Sequence, residues 1–374
     1  MIITRFQYRP AVLPFLLGLG SLSLPAYADP TFARNDDQFI NIGIAARASY
    51  RSEKDAAPNG KDRSNDFDLE SARLYTNGKL HKYVSFELNT EKDADDDISI
   101  LDARIGLELN EHFNIFVGRF LPPASRASAS APYYPPTFDF PFSEQAPNRL
   151  GGRDNGASIW GVLLNQKLKY HVGAFEGRSG SGTSNQSDNL SFAGRLSYNF
   201  WDAEPGFYNL ASYDGAKDIL AIGGSYRFQK DGAGTAANPG DYRYWNLDGR
   251  LEKAVTGGGV VGAEGSYYKY DNDNTQDPSI ASGKGFFVTG SYTFPQVVGI
   301  GKIQPKFVYE RFENDNNNAA ALAGLERKRY DLGASYLIDG SNLRIEAYYY
   351  KETRNQGQPD IDGIAVRFHV AHFF

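Results

Sequence analysis

The chain has 374 residues, with 39 basic and 45 acidic side chains, 24 tyrosines, 25 phenylalanines, 39 glycines and no cysteine. The lack of cysteine excludes a disulfide scaffold and thiol chemistry, and the net charge of −6 argues against nucleic acid as a partner. Mean hydropathy is negative although aromatic residues abound, which is typical of strands that carry apolar side chains on one face only.

Residues 1–28 have the pattern of a cleaved export signal. Two arginines near the start supply positive charge, an apolar run follows over residues 11–24, and Ala26-Tyr27-Ala28 is a small-x-small cleavage site. A short membrane anchor is the alternative, but the run is too short to span a bilayer easily. Cleavage would leave residues 29–374 as one barrel domain, with 37 basic and 45 acidic side chains and a net charge of 37 − 45 = −8.

Sixteen segments then alternate between apolar and polar residues at every second position. In 39–50, for example, Ile40, Ile42 and Ile44 alternate with polar or small residues. A soluble β-sandwich also alternates, but an even number of strands about nine to thirteen residues long predicts an all-β fold, a transmembrane antiparallel up-and-down β-barrel of 16 strands with a polar lumen. The predicted strands are 39–50, 67–80, 82–91, 98–109, 112–120, 154–164, 167–176, 190–200, 218–229, 242–254, 258–270, 284–294, 302–312, 326–338, 342–353 and 362–374.

The connections between these strands are alternately short and long. Short periplasmic turns and long outer loops are typical of outer-membrane barrels, so both ends of the chain are expected on the periplasmic side. The connection 201–217 breaks the rule, since it should be a short turn; either it is a folded periplasmic loop or the strand count is wrong there. The predicted long outer loops are 51–66, 92–97, 121–153, 177–189, 230–241, 271–283, 313–325 and 354–361.

Aromatic residues collect near the predicted strand ends. Such rings suit the girdles that barrels place at the two membrane interfaces, although cross-strand packing would also explain them. The predicted girdle residues are Tyr50, Tyr83, Phe113, Phe120, Phe200, Trp201, Tyr242, Tyr244, Trp245, Tyr270, Phe294 and Phe374.

The third outer loop, residues 121–153, is the longest connection. It is rich in proline and aromatic residues, whereas a solvated surface loop would be hydrophilic and mobile. We therefore expect the third outer loop to fold into the lumen, where its rings would be buried against the wall and would narrow a wide channel. An exposed loop that contacts another subunit is the alternative.

Several short stretches, in order from about residue 66 to the end, resemble the phosphate-selective porin O and P family of Gram-negative outer-membrane porins. The resemblance implies a sixteen-stranded outer-membrane barrel, commonly a homotrimer, that conducts anions through a constriction made by the third loop. The matching stretches are 72–80 (ARLYTNGKL), 114–120 (NIFVGRF), 153–156 (RDNG) with Trp160-Gly161, 192–196 (FAGRL), 304–312 (QPKFVYERF) and 336–343 (YLIDGSNL).

Phosphate-selective members of that family are implied to use a ladder of lumen arginines and lysines. A row of guanidinium groups would attract oxyanions through forked hydrogen bonds and release them again. The candidate constriction residues are Arg126, Asp139, Glu144, Arg149 and Arg153, and the candidate pore-lining ladder is Arg47, Arg73, Arg104, Arg195, Arg250 and Arg344. Acidic residues also occupy inward positions, so a salt-bridged wall residue is at least as good an interpretation of each arginine as an anion site. We therefore expect only a mild preference for anions, and phosphate is one candidate. These acidic residues are Glu87, Asp102, Glu108, Asp248, Glu252 and Glu346.

The predicted function is passive diffusion of small hydrophilic solutes through a water-filled outer-membrane pore. The alternative is an interaction barrel, an adhesin or a sheath around a partner protein, without open-pore transport. The five histidines have no nucleophile-elbow or metal-ligand spacing, so we expect no enzyme activity and no cofactor. The expected partners are outer-membrane lipid and lipopolysaccharide, small anions or other small solutes, and two further copies of the chain, with no nucleic acid.

Overall fold

Long antiparallel strands account for most of the computed structural model, which describes residues 31–92, 97–130, 135–144, 152–210, 212–277, 282–315 and 323–371. The first half contains β1 Thr31–Asn35, β2 Gln38–Glu53, β3 Asp66–His81, β4 Val84–Lys92, β5 Ile98–Asn110, β6 Phe113–Phe120, the short helix α1 Arg126–Ala129, β7 Asp154–Leu163, β8 Leu168–Phe175 and β9 Ser191–Asn199. The second half contains β10 Ile219–Thr235, β11 Asn238–Ala254, β12 Val260–Asp271, β13 Gly283–Thr293, β14 Val297–Val298, β15 Gly301–Asn314, β16 Glu326–Asp339, β17 Leu343–Arg354 and β18 Ile361–Ala371.

Sixteen of these strands close into one barrel. Each pairs antiparallel with its neighbours in the chain, and β18 pairs with β2, for example Phe368 with Ala48, to seal the sheet. The sixteen predicted strands correspond to β2–β13 and β15–β18, so the predicted fold class is confirmed. The alternating pattern did not predict the two short strands: β1 forms a hairpin with β2, and β14 pairs with β15. The predicted signal 1–28 lies outside the described residues.

The barrel is apolar on its outer surface and polar inside. Large apolar side chains in mid-strand, such as Leu332, Leu247 and Ile105, are 67%, 63% and 61% exposed. Charged side chains at alternate positions, such as Glu346 and Arg367, are buried. This is the reverse of a water-soluble protein, and it is the arrangement that a closed barrel needs when lipid surrounds it. No helix in the described part of the chain is both long enough and apolar enough to cross a membrane.

The short turns gather at one end of the barrel and most long connections at the other, as predicted. One predicted loop is wrong: residues 230–241 form a β-hairpin, because β10 and β11 continue to Thr235 and Asn238 with an irregularity between Gln229 and Ala233. The exceptional connection 201–217 lies between β9 and β10, which are adjacent and paired. The strand count was therefore right there, and a long connection does occur at the end with the short turns.

The girdle prediction holds for some rings and fails for others. Tyr83, Phe113, Phe200 and Phe294 are exposed near strand ends at the end with the short turns. Four other predicted girdle rings are almost fully buried instead, namely Phe120, Tyr242, Tyr244 and Tyr270. They occupy inward positions of their strands, where three of them pack with Ala127 of the third outer loop. Phe374 lies outside the described residues.

Candidate pore constriction

The described parts of the third outer loop contact polar, inward-facing side chains around the barrel wall. After Pro122 and Pro123 the chain forms α1, whose Ser125 cap accepts a hydrogen bond from the Ser128 N–H group. Ala127 of this turn is buried among Tyr242, Tyr244, Tyr268, Tyr270, Phe287 and Phe312 of the wall. The prolines follow the end of β6, and the cap stabilises one helical turn. This turn contacts β11 and β12 through the Arg126 N–H group, which donates to Asp248, and through Ser125, which lies 3.4 Å from the Tyr268 hydroxyl.

Arg126 is fixed by two carboxylates. Its guanidinium donates to both oxygens of Glu204 at 2.8 and 2.6 Å, and its Nε lies 3.4 Å from Glu264 of β12. Its backbone N–H group donates to Asp248 of β11 at 3.0 Å. Burial acting alone would raise the pKa of Glu204, but the Arg126 guanidinium lowers it to about 2. Arg126 is thus a buried cross-link and not a free anion site.

Asp139 lies at the centre of three arginines. Its carboxylate accepts hydrogen bonds from Arg51 of β2, Arg329 of β16 and Arg367 of β18, and from the Tyr348 hydroxyl of β17 at 3.1 Å. The neighbouring Phe138 ring stacks on Tyr348 at 4.4 Å between centroids. One loop carboxylate therefore joins four wall strands. Charge-assisted hydrogen bonds, which are stronger than those between neutral groups, thus attach this part of the loop to the barrel wall.

Glu144 is enclosed by hydroxyl groups. It accepts from Ser125 and, at 3.3 Å, from Tyr244. Burial raises the pKa of Glu144 to about 7 because few charges compensate it. The adjacent Ser143 donates from its backbone N–H group and its hydroxyl to Glu310 of β15, at 2.7 and 2.8 Å. Glu144 thus holds the two described arms of the loop together.

Arg153, at the far end of the loop, is paired to the opposite wall. Its guanidinium donates to both oxygens of Asp102 on β5 at 3.1 and 3.2 Å, and Asn89 of β4 donates to the same carboxylate at 3.0 Å. Arg149 lies outside the described residues, so its place in the candidate constriction stays a prediction.

All six ladder arginines lie on inward positions, and each has a carboxylate within 3.2 Å. The described lumen wall therefore carries charge pairs and not a row of free cations, so the field that one arginine projects is largely cancelled by its partner. The pairs are Arg47–Glu70, Arg73–Glu91, Arg104–Glu87, Arg195–Asp248, Arg250–Glu252 and Arg344–Glu346.

Further inward cations were missed by the sequence analysis. Arg51, Arg329 and Arg367 surround Asp139, Arg227 binds Asp154 at 2.6 Å, and Lys306 lies 3.6 Å from Glu346. The alternating pattern could have identified four of them, because each lies an even number of positions from an inward-facing residue of its own strand. These four are Arg227, Lys306, Arg329 and Arg367. No group of three or more His, Cys, Asp or Glu side chains suited to a metal ion occurs among the described residues.

Comparison with solved structures finds the same fold in several outer-membrane proteins at low sequence identity. OmpF of Salmonella typhi, solved with daunomycin, is 13% identical over 91% of this chain and 100% of its own, with a TM-score of 0.59. The outer-membrane channel DcaP of Acinetobacter baumannii is 12% identical over 89% of this chain and 97% of its own, with a TM-score of 0.57. OprB of Pseudomonas putida is 10% identical over 88% of this chain and 92% of its own, with a TM-score of 0.53.

Sequence comparison adds a family match over part of the chain. No curated protein matches the chain, but the family model of phosphate-selective porin O and P matches residues 40–200. That range begins in β2 and ends after β9, and it includes the whole third outer loop. With the apolar outer surface of the barrel, the match indicates the outer membrane of Gram-negative bacteria. From residue 40 to residue 200 this chain thus matches the phosphate-selective porin O and P family, and its described barrel has the fold of the outer-membrane porins.

Proposed function

We propose that the barrel is a water-filled channel through which small hydrophilic solutes diffuse passively, with the third outer loop folded into the lumen as its constriction. One observation carries the proposal: the described loop residues bind inward-facing side chains on opposite walls, with Asp139 joined to β2, β16 and β18 and Arg153 to β5. A chain that only displays loops to a partner needs no such internal attachment.

The proposed mild anion preference rests on the charges that line a cavity in the described lumen. This cavity of about 420 Å³ is lined by four cations, Arg73, Lys79, Arg104 and Arg153, and by three carboxylates, Glu87, Asp102 and Glu108. The lining itself thus has one net positive charge, 4 − 3 = 1, because Glu91, which pairs with Arg73 at 2.7 Å, is not among the lining residues. An excess that small favours anions, phosphate included, without excluding cations. We propose no enzymatic activity for this lumen.

The remaining features complete the proposal. The in-vitro folded OmpT of Vibrio cholerae, 13% identical to this chain, was solved in a trimer form, and we propose a homotrimer here as well. Outer-membrane lipid and lipopolysaccharide would surround the trimer. Residues 1–28 would be removed on export, so the mature protein would begin at about residue 29.

Purified protein reconstituted into planar bilayers should give discrete conductance steps. In a potassium chloride gradient, the reversal potential should lie slightly toward that of chloride, because of the small positive excess in the cavity. A protein that inserts, as shown by its resistance to protease, yet never conducts would contradict the channel and favour the sheath or adhesin alternative.

Alanine at positions 126, 149 and 153 together should lower the chloride-to-potassium permeability ratio. The triple variant R126A/R149A/R153A leaves Glu204 and Asp102 without their principal cations, so the lumen becomes more negative. The control is K54A/K61A, which removes cations from the exposed outer loop between β2 and β3. An unchanged reversal potential in the triple variant would exclude these arginines as the selectivity element.

A further inference from the structure

The long connection between β9 and β10 extends into the lumen. The ring of Phe207, in this connection, packs against Phe116, Trp160 and His171, with centroids 4.9, 5.3 and 4.9 Å apart. These three partners belong to β6, β7 and β8, and they have the inward parity of buried Asn114, Ser158 and Phe175. A turn that stayed outside the barrel could not place a ring among them.

This connection also meets the third outer loop. The buried pair between Glu204 and Arg126 joins the two segments through two hydrogen bonds. The Leu210 carbonyl accepts a third bond from Arg126 at 3.1 Å, and the Asn209 N–H group donates to the Ala129 carbonyl at 3.4 Å. Because both partners of the ion pair are at most 3% exposed, their attraction is little screened by water.

The remaining cavity lies on one side of this contact. Its wall side consists of residues from β2 to β5, among them Asn77, Arg73 and Arg104, and its other side includes Tyr208, Asn209 and Leu210. The Tyr208 hydroxyl lies 3.5 Å from Glu87 on β4. The connection therefore reaches across the lumen close to the wall that carries the Arg104–Glu87 pair.

We propose that the described residues of the connection between β9 and β10, 200–210 and 212–218, form the second half of the constriction, and that solutes pass through the cavity that Tyr208, Asn209 and Leu210 line together with β2–β5. The inference rests on the proposed channel function and adds to it the position of the path. In the described residues most attachments of the third outer loop are to β11, β12 and β15–β18, and Arg153, where the loop ends, is attached to β5. The cavity beside β2–β5 is therefore the space that we assign to the path. Tyr208 is then a specificity-determining residue, since it lines this cavity beside the Arg104–Glu87 pair.

The chain has no native cysteine, so a cysteine introduced at one position is the only thiol that a reagent can label. Tyr208→Cys in the full chain is reacted with a negatively charged alkyl methanethiosulfonate or with its trimethylammonium counterpart, and labelling is verified by mass spectrometry. Labelling should lower the single-channel conductance roughly twofold, because the adduct occupies the path. The negative adduct should also move the reversal potential toward that of potassium, and the positive adduct toward that of chloride.

The matched control is Thr256→Cys, in the exposed turn between β11 and β12; labelling there should leave the conductance unchanged. Leu210→Cys repeats the test at an exposed cavity residue, in case Tyr208→Cys does not fold. If labelled Tyr208→Cys or Leu210→Cys conducts as its unlabelled form does, the proposed path is wrong. If the unmodified protein never conducts, the channel function fails instead, which separates the two outcomes.

Discussion

Replacing Asp139 by asparagine should destabilise the barrel and make the channel more selective for anions. Asp139 is the carboxylate that Arg51, Arg329 and Arg367 share, and the Arg367 side chain is only 2% exposed. Removing one partner of a buried ion pair costs roughly 3–5 kcal/mol, because the remaining charge stays desolvated. The lower end of that range is expected here, since Asp139 itself is 21% exposed. The asparagine amide would also leave one positive charge more in the lumen.

Two measurements check this prediction. The free energy of unfolding is obtained from denaturant titrations in lipid vesicles, and the reversal potential from planar bilayers in a potassium chloride gradient. Asp55→Asn is the matched control, since Asp55 lies in an exposed loop and has a positive φ that asparagine also adopts. Equal stability of the two variants would show that the cluster around Asp139 does not hold the loop to the wall.

Replacing Leu332 by arginine should cost about 2–4 kcal/mol of unfolding free energy, the value for a cation on the lipid face near the bilayer midplane. Leu332 lies at the centre of β16, is 67% exposed, and pairs with Phe307 and Tyr349, whose side chains are also exposed. The side chains of Leu332, Phe307 and Tyr349 thus lie side by side on the exposed outer face of the barrel. The expected loss comes from the transfer of charge into hydrocarbon, since no buried cavity is created.

Leu164→Arg is the matched control for Leu332→Arg. Leu164 is the same residue type and is 65% exposed, but it lies in the turn between β7 and β8. Its replacement should cost about 0–1 kcal/mol, as near a membrane interface. The fluorescence of the three tryptophans reports unfolding in lipid vesicles. Equal losses for the two variants would contradict the assignment of the exposed apolar surface to lipid.

The strands were predictable because the signal is local. A period of two places alternate side chains on opposite faces, so Ile105 and Arg104 could be assigned to lipid and lumen without knowledge of the partner strands. The same parity would have placed Tyr242 and Tyr244 inside the barrel, since they have the parity of inward Arg250. Their assignment to a girdle failed because nearness to a strand end was given more weight than parity.

The hairpin at residues 230–241 could not be predicted from the sequence, because polar residues do not by themselves end a strand. Residues 230–241 contain charged residues and glycines, yet β10 and β11 continue through them, since each strand supplies the other with hydrogen-bond partners beyond the membrane. The length of the connection 201–217 was noted from the sequence. Its position among the inward rings of β6–β8 was not, because no short-range pattern reports a contact across a barrel.

The order and number of the sixteen barrel strands, the face that each of their side chains takes and the unusual composition of the third outer loop follow from the sequence itself. Alternation and turn residues act over a few neighbouring positions, and that range is enough to fix them. Only the tertiary structure decided which charges neutralise one another. Arg126 and Glu204 are 78 positions apart and Arg367 and Asp139 are 228 apart, and such pairs form only when closure of the barrel brings distant strands and loops within a hydrogen bond of each other.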